Sequence, residues 1–451
     1  MENKNSPDWP HRSFQESISS EHLDLKLFEI ECLMPFAEGF TVPKRPSTYQ
    51  EFFRLKMDIR SSIRAKSARD LGCGESRLSR AAVRAGGLSF KFVYQRMKVD
   101  LIGKSAVNLI YRNLKLSPST ESNGAFTTSC QSAISALFHT LRLILGDFII
   151  SVNDGAYWET LGFLRQFSFK ISHLNGTEHI NSPLMRVIYL DSSTETTFFE
   201  KEWPAKVQLN KCRLLIVDTT CLSLKSEKLS EVIEVSRRAG LICVFVRSHM
   251  KLDCLGMEYG RLGSIVFLRP IGLNHKSKIF SEKLINKFNE IAAYHGAFAN
   301  LSQIYPFFTN ARFQKVNELW QKRIEMNNKQ VSNFLEKNID FENAPLALKK
   351  FEHNKYFWFV SKRPIADRQV LDLCRGLDRN LSFLKVPHLS IASYPWDFLS
   401  ITPFKRGQTI LIDQKDRTVI RISVPDFEKA KVDDFKRSLH FWMTQAQRIL
   451  K

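Results

Sequence analysis

From Phe126 onward, short apolar runs alternate with segments of helical spacing. FIISV (148–152), RVIYLD (186–191), RLLIVD (213–218), LICVFV (241–246) and SIVFL (264–268) are apolar at successive positions rather than at every second one. That is the pattern of strands covered on both faces. FKISHL (169–174) reads as a further strand. Between them QSAISALFHTLRLIL (131–145), YWETLGFLRQF (157–167) and SEKLSEVIEVSRRAG (226–240) place apolar residues at helical spacing. The alternation predicts an α/β fold, a three-layer and mostly parallel sheet with helices on both sides.

After residue 275 the pattern changes. SEKLINKFNEIAAYHGAFANL (281–301) and RFQKVNELWQKRIEMNNKQVSNFLEKN (312–338) are long helices, the second a connector between domains. KYFWFVSK, a helix around 366–376, HLSIAS, QTILID, VIRISV and a last helix, KVDDFKRSLHFWMTQAQRIL, predict an α+β C-terminal domain. Ahead of the regular part, residues 1–45 read as an irregular arm with two short helices at most. Residues 46–70 read as a helix capped by Ser47 or Thr48, and 78–120 as mixed and helix-rich. The expected division is an N-terminal arm and helical segment (1–90), a large domain (91–275) and the α+β domain with its connecting helices (276–451).

Composition narrows the class. No run of eighteen apolar residues occurs, so no membrane span is expected. The polar N-terminus lacks the apolar segment of a secretory signal. Eight scattered cysteines, none in C-x-x-C, point to reduced thiols in the cytoplasm, not to a disulfide framework or a metal site. The net charge of +20 is large, but the 66 Lys and Arg are spread along the chain. No compact basic motif with interleaved aromatics appears, so anionic small ligands are expected rather than nucleic acid.

Three stretches carry candidate chemistry. LGCGES (71–76) has the glycines of a nucleotide loop, but a charged helical segment precedes it instead of a buried strand. It reads as a helix end. Asp218 ends the strand RLLIVD, and Lys251 lies just past LICVFV, one β-loop-helix-β unit later. In a parallel sheet both ends open on the same edge, where ligands bind. Alone, each is an ordinary loop residue. Together, a carboxylate and a lysine match the needs of pyridoxal 5'-phosphate: an anion beside the pyridine nitrogen, and an amine for the Schiff base.

The same residues resemble motifs of the fold-type I pyridoxal phosphate enzymes, and within them the cystathionine γ-synthase and methionine γ-lyase group of Cys/Met metabolism. SHMK (248–251) is similar to S-x-T-K, VDTT (217–220) to V-D-N-T, and TSCQSAIS (128–135) to the phosphate-cup segment S-G-M-x-A-I-x. YQR (94–96) resembles a Y-x-R pair, and RISV (421–424) resembles R-h-S-h-G, with h any apolar residue. The resemblance spans roughly 90–451. It implies that Lys251 carries the cofactor, Asp218 pairs with its ring nitrogen and Tyr157 stacks on the ring. It further implies that Ser129, Cys130, Gln131 and Ser248 hold the phosphate, joined by Tyr94 and Arg96 of the partner subunit. Arg421, with Ser390 beside it, would bind the carboxylate of an amino-acid substrate. The assembly implied is a homodimer or homotetramer with shared active sites.

The chain also departs from the pattern. Cys130 stands where the family has a cup glycine, Met250 replaces the threonine before the lysine, and Thr219 replaces an asparagine. A degenerate site would be expected to lose Lys251, Asp218 or Arg421, and all three are present. The expected function is therefore a lyase or transferase of amino-acid metabolism, working by Cα deprotonation and then side-chain β/γ-elimination or replacement. An aminotransferase, or a non-catalytic binding protein, is the alternative. His249 is expected to point away from Lys251, Glu258 and Tyr259 to pack, and Trp158 and Glu159 to open a helix.

Overall fold

The structure, a computed structural model, describes residues 17–450 except 42–44, 72–81, 86–87, 92–99, 102–110, 112–119, 154–155, 175–183, 194–211, 225, 272, 391–396, 398, 405–410 and 413–414. Helices α1 (Ser20–Glu31) and α2 (Tyr49–Leu71) come first. A small antiparallel sheet follows, made of β1 (Ala82–Ala85), β2 (Leu88–Lys91) and β3 (Asp100–Leu101). These strands lie where a helix-rich stretch was expected. The sequence there has Gly86-Gly87 between two short alternating runs, a hairpin signal that outweighs helix propensity.

The large sheet contains β4 (Thr120–Thr127), β5 (Phe148–Val152), β6 (Lys170–His173), β7 (Met185–Asp191), β8 (Cys212–Asp218), β9 (Ile242–Ser248) and β10 (Gly263–Pro270). Their spatial order is β4-β10-β9-β8-β7-β5-β6. All neighbours from β9 to β6 pair in parallel, and β10 runs against both β9 and β4. Helices α3 (Cys130–Leu145), α4 (Trp158–Gln166) and α5 (Glu227–Arg238) alternate with the strands. The continuous apolar runs have a direct cause. Along β8, Leu214 and Ile216 enter one core while Leu215 and Val217 enter the other. Successive side chains point to opposite faces, and both faces are covered.

Helix α6 (His275–Tyr294) packs beside α3, and the 28-residue α7 (Ala311–Asn338) leads into the C-terminal domain. There β11 (Leu346–Lys350), β12 (Phe357–Ser361), β13 (His388–Ser390), β14 (Leu399–Phe404) and β17 (Val419–Ser423) form a sheet in the order β11-β12-β17-β14-β13. A hairpin of β15 (Leu411–Ile412) and β16 (Lys415–Asp416) precedes β17. Helices α8 (Asp367–Phe383) and α9 (Lys429–Ile449) pack on each other, and Trp442 donates to Leu373 O at 2.8 Å.

The N-terminal helices are part of the core. Thr48 caps α2, as one of two residues the sequence offered: its Oγ1 accepts from Glu51 N at 3.2 Å. The buried Lys26 and Lys56 meet Asp397 and Asp426 of the C-terminal domain, at 2.8 and 2.5 Å for Lys26 and 2.6 Å for Lys56 to Asp397. Glu29 and Arg323 of α7 complete a charge-balanced cluster. Burial pushes Glu29 up to about 7, whereas Lys26 and Arg323 help hold Asp426 down at about 2. All seven described cysteines are buried free thiols. No helix among the described residues is long and apolar enough to cross a membrane.

Candidate active site

The parallel register sets Asp191 directly beside Asp218 at the C-terminal ends of β7 and β8. Both carboxylates are buried. Asn153 fixes the end of β7 by exchanging hydrogen bonds with the backbone of Asp191 at 2.7 and 3.1 Å. Asp218 Oδ1 accepts from Thr220 N at 2.8 Å, and its Oδ2 lies 3.7 Å from Cys130 Sγ. Neither neighbour is a cation. Burial, and then the charge of Asp191, push Asp218 up to about 7. Two adjacent buried carboxylates favour a positively charged group between them and the cavity.

Lys251 follows β9 in a tightly held turn. Buried Arg247 grips Asp253 with two bonds of 2.7 Å and donates to Leu222 O at 2.9 Å. His249 bridges Asp253 and Ser264 at 2.7 and 2.9 Å, so both ring nitrogens face away from the cavity. Asn317 and Gln321 of α7 each donate to Leu252 O at 2.8 Å. From α2, Arg60 holds Met257 O at 3.0 Å. The lysine is therefore no solvated loop residue. Its half-buried side chain forms part of a cavity wall. Desolvation, and then the positive charge of Arg421, lower its amine from the ordinary lysine range. A lowered pKa gives the neutral, nucleophilic amine.

Helix α3 points its N-terminus at the same place. Ser129 caps it: Ser129 Oγ accepts from Ser132 N, and Ser132 Oγ accepts from Ser129 N, each at 3.0 Å. Ala133 N donates to Ser129 O. Among the described residues, no acceptor engages the N–H groups of Cys130 and Gln131. These two donors, with the helix dipole, suit an anion. Ser248 and Arg261 line the cavity with them. Gly263 makes the approach possible, because a Cβ there would lie 2.3 Å from Cys130 N and from Ser129 C. Gly263→Ala is thus expected to push α3 off β10. Overpacking of this kind costs about 1–3 kcal/mol, read as a lower melting temperature, and phosphate-ester affinity falls with it. An unchanged melting temperature would contradict this contact.

From the C-terminal domain comes Arg421 of β17. It donates to Thr402 Oγ1 at 3.1 Å, and its guanidinium lies 5.5 Å from the ring centre of Tyr356 and 5.2 Å from that of Phe404. Tyr157 opens α4, its backbone N–H donating to Asp191 Oδ2 at 2.7 Å. Burial raises the Tyr157 phenol above its usual range, so it stays protonated.

One cavity of about 410 Å³ brings together eight residues expected from the sequence: Ser129, Cys130, Gln131, Tyr157, Asp218, Ser248, Lys251 and Arg421. Trp158, Glu159 and Met250 line it too. Tyr94 and Arg96 lie outside the described residues, as does LGCGES after Leu71. Ser390 ends β13, paired with Ile401, and its side chain is outside the description. Tyr259 packs against Tyr305 and Phe307 and meets Ser67 Oγ at 3.1 Å, a structural position. Lining residues missed by the sequence reading include Asp191, Ser193, Cys221, Arg261, Tyr356, Trp358 and Phe404. Only Asp191 had a signal, since RVIYLD ends as RLLIVD does.

No protein-family model matches the chain, and no curated protein matches it. Solved structures do. Alanine aminotransferase from Pyrococcus furiosus has a TM-score of 0.52 at 11% identity, over 95% of this chain and 100% of that one. A cystathionine gamma synthase from Xanthomonas oryzae pv. oryzae gives 0.47 at 12% identity, over 72% and 82% of the two chains. A methionine gamma lyase from Micromonospora echinospora gives 0.46 at 14%, over 70% and 81%. These last two fall below the level at which a likeness bears on fold. The first shows a shared fold, an α/β architecture with a large mixed sheet and a smaller C-terminal sheet.

Proposed function

We propose that the chain is a pyridoxal 5'-phosphate-dependent enzyme acting on an amino acid. The observation that carries this is the convergence of Lys251, the Asp218–Asp191 pair and the open N-terminus of α3 on one cavity. The donor set fits the cofactor: two helix N–H groups that no described residue engages for a phosphate, a buried carboxylate pair for a protonated ring nitrogen, and an enclosed amine for an aldehyde. Ser129, Ser248 and Arg261 would hold the phosphate beside the N–H groups of Cys130 and Gln131. Asp218 would face the ring nitrogen and Tyr157 the ring.

When bound, the cofactor supplies an electron sink for the pair left at the substrate's α-carbon. The chain's residues do the rest. Arg421 binds the substrate carboxylate bidentately, oriented by Thr402 and the flanking rings of Tyr356 and Phe404. Lys251, its amine lowered by desolvation, takes the α-proton and later returns it. Asp218 keeps its partner protonated, and Cys130 and Thr220 hold that carboxylate in place. The C-terminal sheet region lines the cavity with Tyr356, Trp358, Phe404 and Arg421.

The reaction proposed is β/γ-elimination or replacement at the side chain, supported by the likeness of SHMK and VDTT to the Cys/Met group. The active form is proposed to be a cytoplasmic homodimer or homotetramer completed by Tyr94 and Arg96 of the partner subunit. Elimination releases ammonia and a keto acid with no keto-acid acceptor added. Transamination needs an acceptor and leaves nitrogen on it. Without acceptor, ammonia release from an amino-acid panel is the expected result for elimination, and exchange of the side-chain leaving group for an added thiol, without ammonia, for replacement. Turnover only with an added keto acid would replace elimination by transamination.

A further inference from the structure

The C-terminal sheet gives the cavity a face with a definite chemical character. On β12, β17 and β14, Trp358, Arg421 and Thr402 stand opposite one another in register. Residues opposite or two apart share a face. That row therefore carries Tyr356, two positions before Trp358, and Phe404, two after Thr402. Of the described lining residues this domain supplies, Tyr356, Trp358 and Phe404 are aromatic and Arg421 is the one charge. Tyr356 and Trp358 stack at 6.4 Å with 9° between their planes. Opposite them Trp158 of α4 packs onto the same aromatic cluster and stays half-buried, so it has surface to offer a ligand.

Building on the reading of this cavity as an amino-acid site, we propose that the substrate is an α-amino acid whose side-chain leaving group is or carries an uncharged aromatic ring. Its carboxylate takes Arg421, and its ring lies against Trp158 and the edges of Tyr356 and Phe404. Two alternatives fit less well. A second carboxylate, as in an acidic amino acid, would find no second cation on this face. It would also meet Glu159, the lining charge next to Trp158. A small side chain would leave the half-buried Trp158 in contact with water, forgoing the stacking and apolar burial that favour aromatic pairs.

The test is calorimetric titration of the purified full chain, without added cofactor, with 3-phenylpropanoate, butanoate and succinate. All three need a carboxylate site, and only the first carries a ring. The expected order places 3-phenylpropanoate about tenfold tighter than butanoate, with succinate weakest. Trp158→Ala is expected to erase the preference for the ring while leaving butanoate unchanged. Trp158→Leu should restore only part of it, and circular dichroism checks that both variants fold. Equal affinities, tighter succinate, or full restoration by Trp158→Leu would overturn the proposal. The titrations need no cofactor. A chain that takes up no pyridoxal phosphate but keeps this ranking refutes the proposed function alone. A chain that binds the cofactor but ranks the three ligands equally refutes only the inference drawn here.

Discussion

Lys251→Ala is expected to lower Cα proton exchange of amino acids by at least about 10³-fold, because it removes a proton carrier worth about 10²–10⁴ and the attachment point of the cofactor. The visible absorbance of the cofactor-loaded protein should disappear with it. Stability should move the other way. Enclosure lowers the Lys251 amine in the folded chain, so as pH rises the folded chain loses this proton before the unfolded chain does. Stability then rises with pH up to the ordinary lysine range, and the lysine is a cost below it. The cofactor-free Lys251→Ala protein should therefore melt higher than wild type at pH 7. Deuterium exchange by NMR and a melting curve check the two halves. A variant that still exchanges at the wild-type rate would remove Lys251 from the chemistry.

The second large effect belongs to Asp218. Its folded pKa is raised to about 7 by burial and by Asp191. In the unfolded chain it returns to the usual carboxylate value of about 4. Between those values the folded state holds a proton that the unfolded state has lost. Stability of the cofactor-free protein is thus highest below about pH 4 on this account. It falls as pH rises to about 7, by on the order of 3–4 kcal/mol at most, and is flat above. Asp218→Asn should abolish that fall and melt higher at pH 8. It should also weaken pyridoxal phosphate binding by up to about 1,000-fold, since a carboxylate facing a cation at close range is worth about 4 kcal/mol at an effective dielectric of 20. Melting temperatures across pH 4–8 and a cofactor titration give both readings. A wild-type slope retained in the variant would mean that the burden of the buried pair lies elsewhere.

Much of this site was legible because parallel-sheet geometry converts sequence order into position. An Asp ending one buried run and a Lys just past the next must share an edge, whatever the surrounding loops do. The strands themselves were legible for a related reason. Residues such as Leu214 and Leu215 each feed a different core, so both faces must be apolar. β4, with the sequence TESNGAFT, escaped because it is polar at the sheet edge and holds its place through pairing with β10. Nothing in the sequence marks Gly263, whose close approach to Ser129 and Cys130 exists only in three dimensions. The aromatic wall was invisible for the same reason: Trp158, Trp358 and Phe404 sit on separate elements of two domains. So did the charge cluster, in which Lys26 finds Asp426 across 400 residues of chain.

The most direct measurement is borohydride reduction of the full chain with pyridoxal phosphate, followed by peptide mass mapping. A lysine with a lowered pKa inside a cavity that also carries the N-terminus of α3 should outcompete the many exposed lysines. The predicted result is a single pyridoxyl adduct, on the peptide carrying Lys251, that is absent from Lys251→Ala. Adducts spread over surface lysines, or none at Lys251, would contradict the assignment of this cavity to the cofactor.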